Sequence, residues 1–350
     1  MKIGFFTPRS VNPLHPRLVA FREFFQRAGL QPEFIHQSDY KPSAGTRINW
    51  LVLWFFDLYA VDRCKPFVRD FDVVFINDLK YLPLAKYAKK LGKVVIYDTI
   101  DHNVHLRFYQ LERKIKTARL FKFVLIPLFK KLERKYAFKY CDEIIVNSDS
   151  LNDYFCGKAH VLYYSSPLEN LNMANDPQKK TALLYLGGFT RDKGAREILD
   201  LAQRLNVKLF VFGPPEEMLL TALEGENITY QPKLSSENLR LELETLMKQY
   251  FLMGFSLIKA AHYSYEVQEA NKDIDYLAIG APIIGNRRLA TRVKIEAGCG
   301  FYYDDAALAA KIGDHSLKAM LAQNCKTLYQ TKFASGLFNA GLEAIMKKYR

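Results

Sequence analysis

The segment Gly187-Gly188-Phe-Thr-Arg191-Asp-Lys193-Gly194 has the makings of an anion site. It follows the apolar run Ala182-Leu-Leu-Tyr-Leu186 and precedes a helical pattern from Glu197 to Leu205. A strand, a glycine-rich turn and a helix N-terminus leave backbone N–H groups free, and the helix dipole adds to their attraction for phosphate. Lys193 supplies a fixed positive charge of the kind a departing diphosphate needs. Neither the dinucleotide pattern G-x-G-x-x-G nor the Walker pattern is present. The plainer reading is a tight turn with solvated charges.

Residues Asn271 to Asn286, NKDIDYLAIGAPIIGN, form the second candidate. Lys272, Asp275, Tyr276 and Ile279 are spaced along one helix face, and Gly280 falls where a glycine of positive φ would end the helix. Pro282-Ile283-Ile284 then opens a buried strand, so the helix's polar face should lie near the carboxyl ends of a parallel sheet, where α/β proteins bind ligands. Asp273-Ile274-Asp275 is formally a D-x-D metal signature. Residues two apart on a helix point about 200° apart, so these two acids cannot share one cation. No metal is expected, and Lys193 with the helix N-terminus would do its work. In the first half, Val95-Ile-Tyr97-Asp98-Thr-Ile-Asp101-His102-Asn103 marks a third strand end, with polar groups that could meet a hydroxyl or a phosphate.

The elements that must position these groups alternate along the whole chain. Strands are expected at Lys2–Phe6, Glu33–His36, Asp72–Asn77, Val94–Asp98 and Glu143–Asn147, with helices at Pro16–Ala28, Arg47–Ala60 and Leu82–Leu91 and a long basic helical region before the last strand. The polar stretch Glu169 to Lys180 reads as a linker. Beyond it come Ala182–Leu186, helix Glu197–Leu205, Lys208–Phe212, helix Leu239–Tyr250, strand Gly254–Lys259, the helix and strand above, and closing helices Ala306–Ala322 and Ala340–Tyr349. The expectation is an α/β chain of two doubly wound Rossmann-like domains. Their bounds are 1–168 for the first, 169–180 for the linker and 181–330 for the second, with 331–350 as a closing helix packing back on the first.

The chain has 350 residues, 49% of them hydrophobic, which suits two ordinary cores and excludes disorder. Five scattered cysteines without a C-x-x-C pair argue for a reducing, cytoplasmic setting with neither a disulfide framework nor structural zinc. The N-terminus reads as a strand and not a signal peptide, and the longest apolar run, around Ile48–Phe56, is too short to span a bilayer. Charge is uneven: residues 1–166 carry a net +11 of the total +13, implying an anionic partner for the first half.

Asn271-Lys272-x-x-Asp275-Tyr276-Leu-Ala-x-Gly280-x-Pro282-Ile-Ile resembles the N-K-x-x-E/D-Y segment of retaining glycosyltransferases of family 4, which have the GT-B fold. The Gly187–Gly194 loop resembles that family's diphosphate loop, and Val95–Asp101 its segment on the sugar and acceptor side. Leu132–Tyr136 and Cys141–Ser148 resemble a further pair of its motifs. The resemblance extends from Asp72 to about Tyr303. It implies two domains facing each other across a cleft and a nucleotide-diphosphate sugar as donor substrate, with no separate cofactor. It implies that Lys193 and a neighbour hold the diphosphate, and that Asp275 meets the ribose. The donor set is then Gly187, Gly188, Arg191, Lys193, Asn271, Lys272, Asp275 and Tyr276. The catalytic candidates are Asp101, His102, Lys193 and Glu269. Two departures stand out. The family's Arg position is Gly188 here, with Arg191 near enough to substitute. The first of its two acids falls at Val267, flanked by Glu266 and Glu269.

From Arg107 to Lys139 there are 11 Lys and Arg against Glu112 and Glu133, interleaved with Leu, Ile, Val and Phe. Such a makeup suits an anionic membrane surface, placing the protein on the cytoplasmic face with a saccharide or lipid-linked acceptor; an internal helix with a solvated basic face is the plainer reading. Nucleic acid is not expected, because the aromatics are clustered with aliphatics instead of spaced as stacking platforms. The leading reading is a metal-independent retaining glycosyltransferase of cell-surface polysaccharide or glycolipid synthesis. The alternatives are a catalytically inactive scaffold at the membrane and, last, a UDP-sugar epimerase, for which no obvious pair of carboxylates and a His is present.

Overall fold

Runs such as Val73-Val-Phe-Ile-Asn77, buried at every position, are what a parallel strand covered on both faces requires. A computed structural model of the chain describes residues 1–8, 15–36, 55–114, 116–171, 173–232, 234–259 and 263–350. It divides into two units, Met1–Tyr163 with Phe338–Arg350, and Tyr164–Leu337.

In the first unit β1 (Ile3–Phe6), β2 (Pro32–Ile35), β3 (Val73–Asn77), β4 (Val94–Thr99), β5 (Glu143–Val146) and β6 (His160–Val161) form one sheet in the order β2-β1-β3-β4-β5-β6. All pairings are parallel. One face packs on Phe55, Cys64, Leu84, Phe108 and Phe129. The other packs on helix Pro16–Arg27 and the closing helix Ser335–Met346, where Phe5 stacks on Phe75 at 4.4 Å and Phe21 meets Phe338. Asp98, at the end of β4, takes Arg17 Nη2 at 2.6 Å on one oxygen and Asn77 Nδ2 at 2.7 Å on the other, all three side chains being buried. An ion pair sealed this way must be complete, because one buried charge left alone is strongly destabilising.

In the second unit β7 (Lys180–Leu186), β8 (Lys208–Phe212), β9 (Ile228–Gln231), β10 (Tyr250–Ser256), β11 (Ile283–Gly285) and β12 (Gly300–Tyr302) pair in parallel in the order β12-β11-β10-β7-β8-β9. The chain lays down β7, β8 and β9 outward, then returns across β7 to start again with β10. The reversal point is therefore the gap between the ends of β7 and β10. The polar stretch 169–180 is fastened to this unit by buried Asn175, whose amide donates to the carbonyls of Leu252 and Gly280 and accepts from Leu252 N.

Several elements differ from the sequence reading. Of the expected helix Arg47–Ala60, residues 47–54 lie outside those described. Asp57 is the N-cap of helix Leu58–Val68 and accepts Ala60 N at 3.0 Å. Pro66 in its last turn had hidden that helix. The helix expected to reach Tyr250 stops at Met247, and Tyr250–Ser256 is strand throughout, since a buried apolar run gives no period to separate the two. Helix Ala306–Ala322 is two helices, Leu308–Lys311 and His315–Lys332, divided at Gly313 and at Asp314, which caps the second. Strands β6, β9 and β12 and helices Asp149–Tyr154 and Leu289–Lys294 were too short to stand out. Among the described residues, no helix is long and apolar enough to cross a membrane.

Candidate functional site at the ends of β7 and β10

The β7–β10 ladder ends at Leu184 and Gly254. Beyond it, the Tyr276 hydroxyl accepts from Leu186 N at 3.0 Å and donates to Phe255 O at 3.3 Å. The phenol thus bridges the two strand ends at the reversal point. Its ring lies so close to Gly254 that a Cβ there would stand 2.2 Å away, which explains the glycine in mid-strand. Tyr276 is fully buried, so this expected donor contact braces the crevice from within instead of facing it.

The loop after β7 turns at Gly187, with φ +98°. Tyr185 Oη donates to Gly188 O at 2.9 Å and holds the turn. Lys193 folds back over it, its Nζ 3.7 Å from where a Cβ on residue 188 would be. Helix Ala195–Leu205 starts immediately after Gly194, whose φ of +77° and 2.9 Å clearance from Leu257 exclude a side chain. Arg191, the expected substitute, points elsewhere: it is exposed and pairs with Glu216 at 3.2 Å.

Helix Asn271–Ala278 brings Lys272 to this turn. The residue is half-buried, but its Nζ is sealed and has no hydrogen-bond partner among the described residues. It lies 4.3 Å from the centroid of the Tyr185 ring. Burial pulls its pKa down to about 7; Asp273 works against the fall, while Arg288 and Lys193 add to it. A sealed ammonium without a hydrogen bond is costly, and an incoming anion would relieve that cost. Asn271, half-buried, opens the helix beside it.

Asp275, one turn on, is half-buried, and its Oδ1 accepts from Ser166 Oγ at 2.6 Å and Tyr164 Oη at 3.5 Å. Burial lifts its pKa to about 7, the two hydroxyls oppose the rise, and Asp273 adds to it. Asp273 faces a different set: buried, it pairs with Arg288 at 3.2 Å and accepts from Thr291 Oγ1 at 3.3 Å. The two acids of the D-x-D thus serve separate networks. Arg288 also donates to the carbonyls of Tyr265 and Gln268, fixing the segment ahead of the helix.

Glu269 is not placed at the glycine turn. Its carboxylate is held by Lys294 at 2.6 Å, inside the protein on the Asp273 side. Glu266 accepts the N–H of Leu289 at 3.0 Å. Both acids flanking the Val267 slot are therefore engaged in structure, and Val267 is buried. Among the described residues, no group of three His, Cys, Asp or Glu is disposed to hold a metal ion.

Asp101 and His102 belong to the first unit, between the end of β4 and helix Asn103–Lys114. Asp101 is half-buried and its backbone carbonyl accepts from Asn103 N. His102 is buried, 2.9 Å from Ser150 Oγ through Nε2 and edge-on to Tyr154. Burial, then Lys130, lowers its pKa to about 4, so it is neutral at pH 7. Nearby, Glu133 is buried between the hydroxyls of Tyr97 and Tyr154, and burial raises its pKa to about 7. Asp78, at the end of β3, adopts φ +97°, a strained value for a side-chain-bearing residue, and pairs with Arg107.

The sequence reading missed Tyr164, Ser166, Arg288 and Lys294. Nothing local marks Ser166 as the partner of an acid 109 positions away.

Neither a protein-family model nor a curated protein sequence matches the chain. Solved structures match over its whole length. HepE of Anabaena, in complex with UDP and glucose, has 13% identity and a TM-score of 0.63 over 99% of this chain and 100% of that one. A structure described as trehalose-6-phosphate from E. coli bound with UDP-2-fluoro glucose has 10% identity and a TM-score of 0.62 over 99% and 98%. A putative UDP-N-acetylglucosamine 2-epimerase from Listeria monocytogenes has 11% identity and a TM-score of 0.56 over 100% and 97%. At these identities the likeness is one of fold, and the fold is GT-B.

Proposed function

We propose that the protein is a glycosyltransferase that takes its sugar from a nucleotide-diphosphate donor bound on the second unit. The observation that carries this reading is the sealed ammonium of Lys272, lacking a hydrogen bond and lying with Lys193 at a glycine turn where the strand order reverses. Two cations and the N-terminus of helix Ala195–Leu205 are the makings of a diphosphate cradle. Two structures of the same fold support it: UDP is bound in HepE and a UDP-sugar in the trehalose-6-phosphate structure. The cation missing from the Gly188 position is supplied by Lys272, not by Arg191. Asp275, held by Ser166 and Tyr164, takes a ribose hydroxyl.

Departure of the nucleoside diphosphate leaves an oxocarbenium-like sugar; the acceptor hydroxyl adds to the face the leaving group vacates and gives its proton to an oxygen of the departing diphosphate, so configuration is retained. Stabilising the leaving diphosphate is the main catalytic term, and Lys193 and Lys272 provide it without a metal. The saccharide or lipid-linked acceptor is bound on the first unit, around Asp101 and His102 at the ends of β4 and β5. The product belongs to cell-surface polysaccharide or glycolipid synthesis.

A second reading, an inactive glycosyltransferase-like scaffold, is favoured by one observation: both acids beside the Val267 slot are tied up by Lys294 and by the Leu289 backbone. Incubation with a panel of nucleotide-sugars and acceptors separates the two. Release of nucleoside diphosphate coupled to a glycosylated product supports transfer. Binding without turnover supports the scaffold, and a sugar altered while still attached to its nucleotide supports an epimerase.

A further inference from the structure

Helix Lys122–Tyr140 buries one stripe, Ile126, Phe129, Glu133 and Ala137, against the first unit's core. The residues leading into it and its first two turns also carry apolar side chains outside that stripe. Leu120, Phe121, Phe123, Val124 and Leu128 are 77%, 57%, 86%, 66% and 48% exposed. No other stretch of comparable length among the described residues exposes more than two large apolar side chains. Scattered exposed hydrophobics need no explanation, but five within nine positions mark a surface built to be covered.

Charge identifies the cover. Between positions 113 and 132 the sequence carries seven Lys and Arg and no acid. Arg119, Lys122 and Lys131 are exposed beside the apolar side chains. The acids nearest in sequence do not offset them: Glu133 is buried between two tyrosines, and Glu112 lies seven positions before Arg119. A second copy of this chain would bring two like-charged rims together across a two-fold axis. An acyl boundary under anionic headgroups accepts both components, Phe and Leu entering the hydrocarbon edge while the cations remain among phosphates.

We infer that residues 119–131 form a membrane-docking tip that inserts Leu120, Phe121 and Phe123 into an anionic lipid surface. The inference is independent of the donor site. Flotation with phosphatidylcholine vesicles, with and without phosphatidylglycerol, tests it on the full chain. Binding is expected only to the anionic vesicles and should fall about five-fold for each of Arg119→Gln and Lys122→Gln. Leu120→Ser with Phe123→Ser should abolish it without shifting the thermal midpoint, since these side chains are exposed. In Phe123→Trp, bromine-labelled acyl chains should quench fluorescence beyond the level seen with the native tryptophans alone. Absence of flotation on anionic vesicles, flotation that survives the double Ser variant, or a solution dimer that Phe123→Ser dissolves would each overturn the inference.

Discussion

The ammonium of Lys272 lies over the ring of Tyr185, 4.3 Å from its centroid, and the same tyrosine's hydroxyl holds the Gly188 carbonyl. One side chain therefore positions both the cation and the turn that faces it. The contact offsets part of the cost of sealing a charge, but an aromatic face is a weaker partner than an anion.

Lys272→Met should for that reason raise stability while weakening donor binding. Lys272 has its pKa lowered from 10.5 to about 7, so folding works against its protonated form. That penalty is fully present below pH 7 and fades as pH rises toward 10.5. Thermal melts at pH 6 should show the variant ahead by about 1 kcal/mol, with the lead shrinking at alkaline pH. A variant less stable than the parent at pH 6 would contradict this account of Lys272.

Affinity for a nucleotide-sugar, whose diphosphate does not titrate near neutrality, should be greatest around pH 7. Above it Lys272 loses the proton that attracts the diphosphate, and below it Asp275, also near 7, loses the charge that accepts a ribose hydroxyl. The two limbs separate by mutation. Asp275→Asn should keep only the alkaline fall, and Lys272→Met only the acidic one, as read by calorimetric titration across pH.

Tyr276→Phe should leave Leu186 N without its partner and cost about 1–3 kcal/mol, with weaker donor binding as the strand ends shift. Gly254→Ala should be at least as damaging, because the new methyl meets the ring of Tyr276. Denaturant melts of both variants check this.

Arg191→Ala should change donor affinity by no more than about two-fold, since the guanidinium is exposed and already paired with Glu216. A loss comparable to that of Lys193→Ala would return to Arg191 the role proposed for Lys272.

Much of this molecule could be read in advance. The buried strands β3, β4, β7 and β8 announced themselves as apolar runs, and the helix stop at Gly280 and the turn at Gly187–Gly188 followed from glycine chemistry. Two doubly wound units followed from the alternation. The site was legible only where it is local. Lys193 and Lys272 sit on motifs, but their convergence on one turn depends on how β10 returns beside β7, which no spacing states. The fates of Glu269 and Arg191 were equally hidden, because their partners Lys294 and Glu216 are 25 positions away in each case. Tyr276 misled for a different reason: a tyrosine in a motif reads as a ligand contact, and burial alone reveals it as a brace.

The most direct test is calorimetric titration of the protein with a panel of nucleoside diphosphates, repeated on Lys193→Ala and Lys272→Met. At least one nucleotide should bind the parent, and each variant should lose ten-fold or more in affinity, about 1.4 kcal/mol. Absence of binding to every nucleotide, or binding indifferent to both substitutions, would contradict the account.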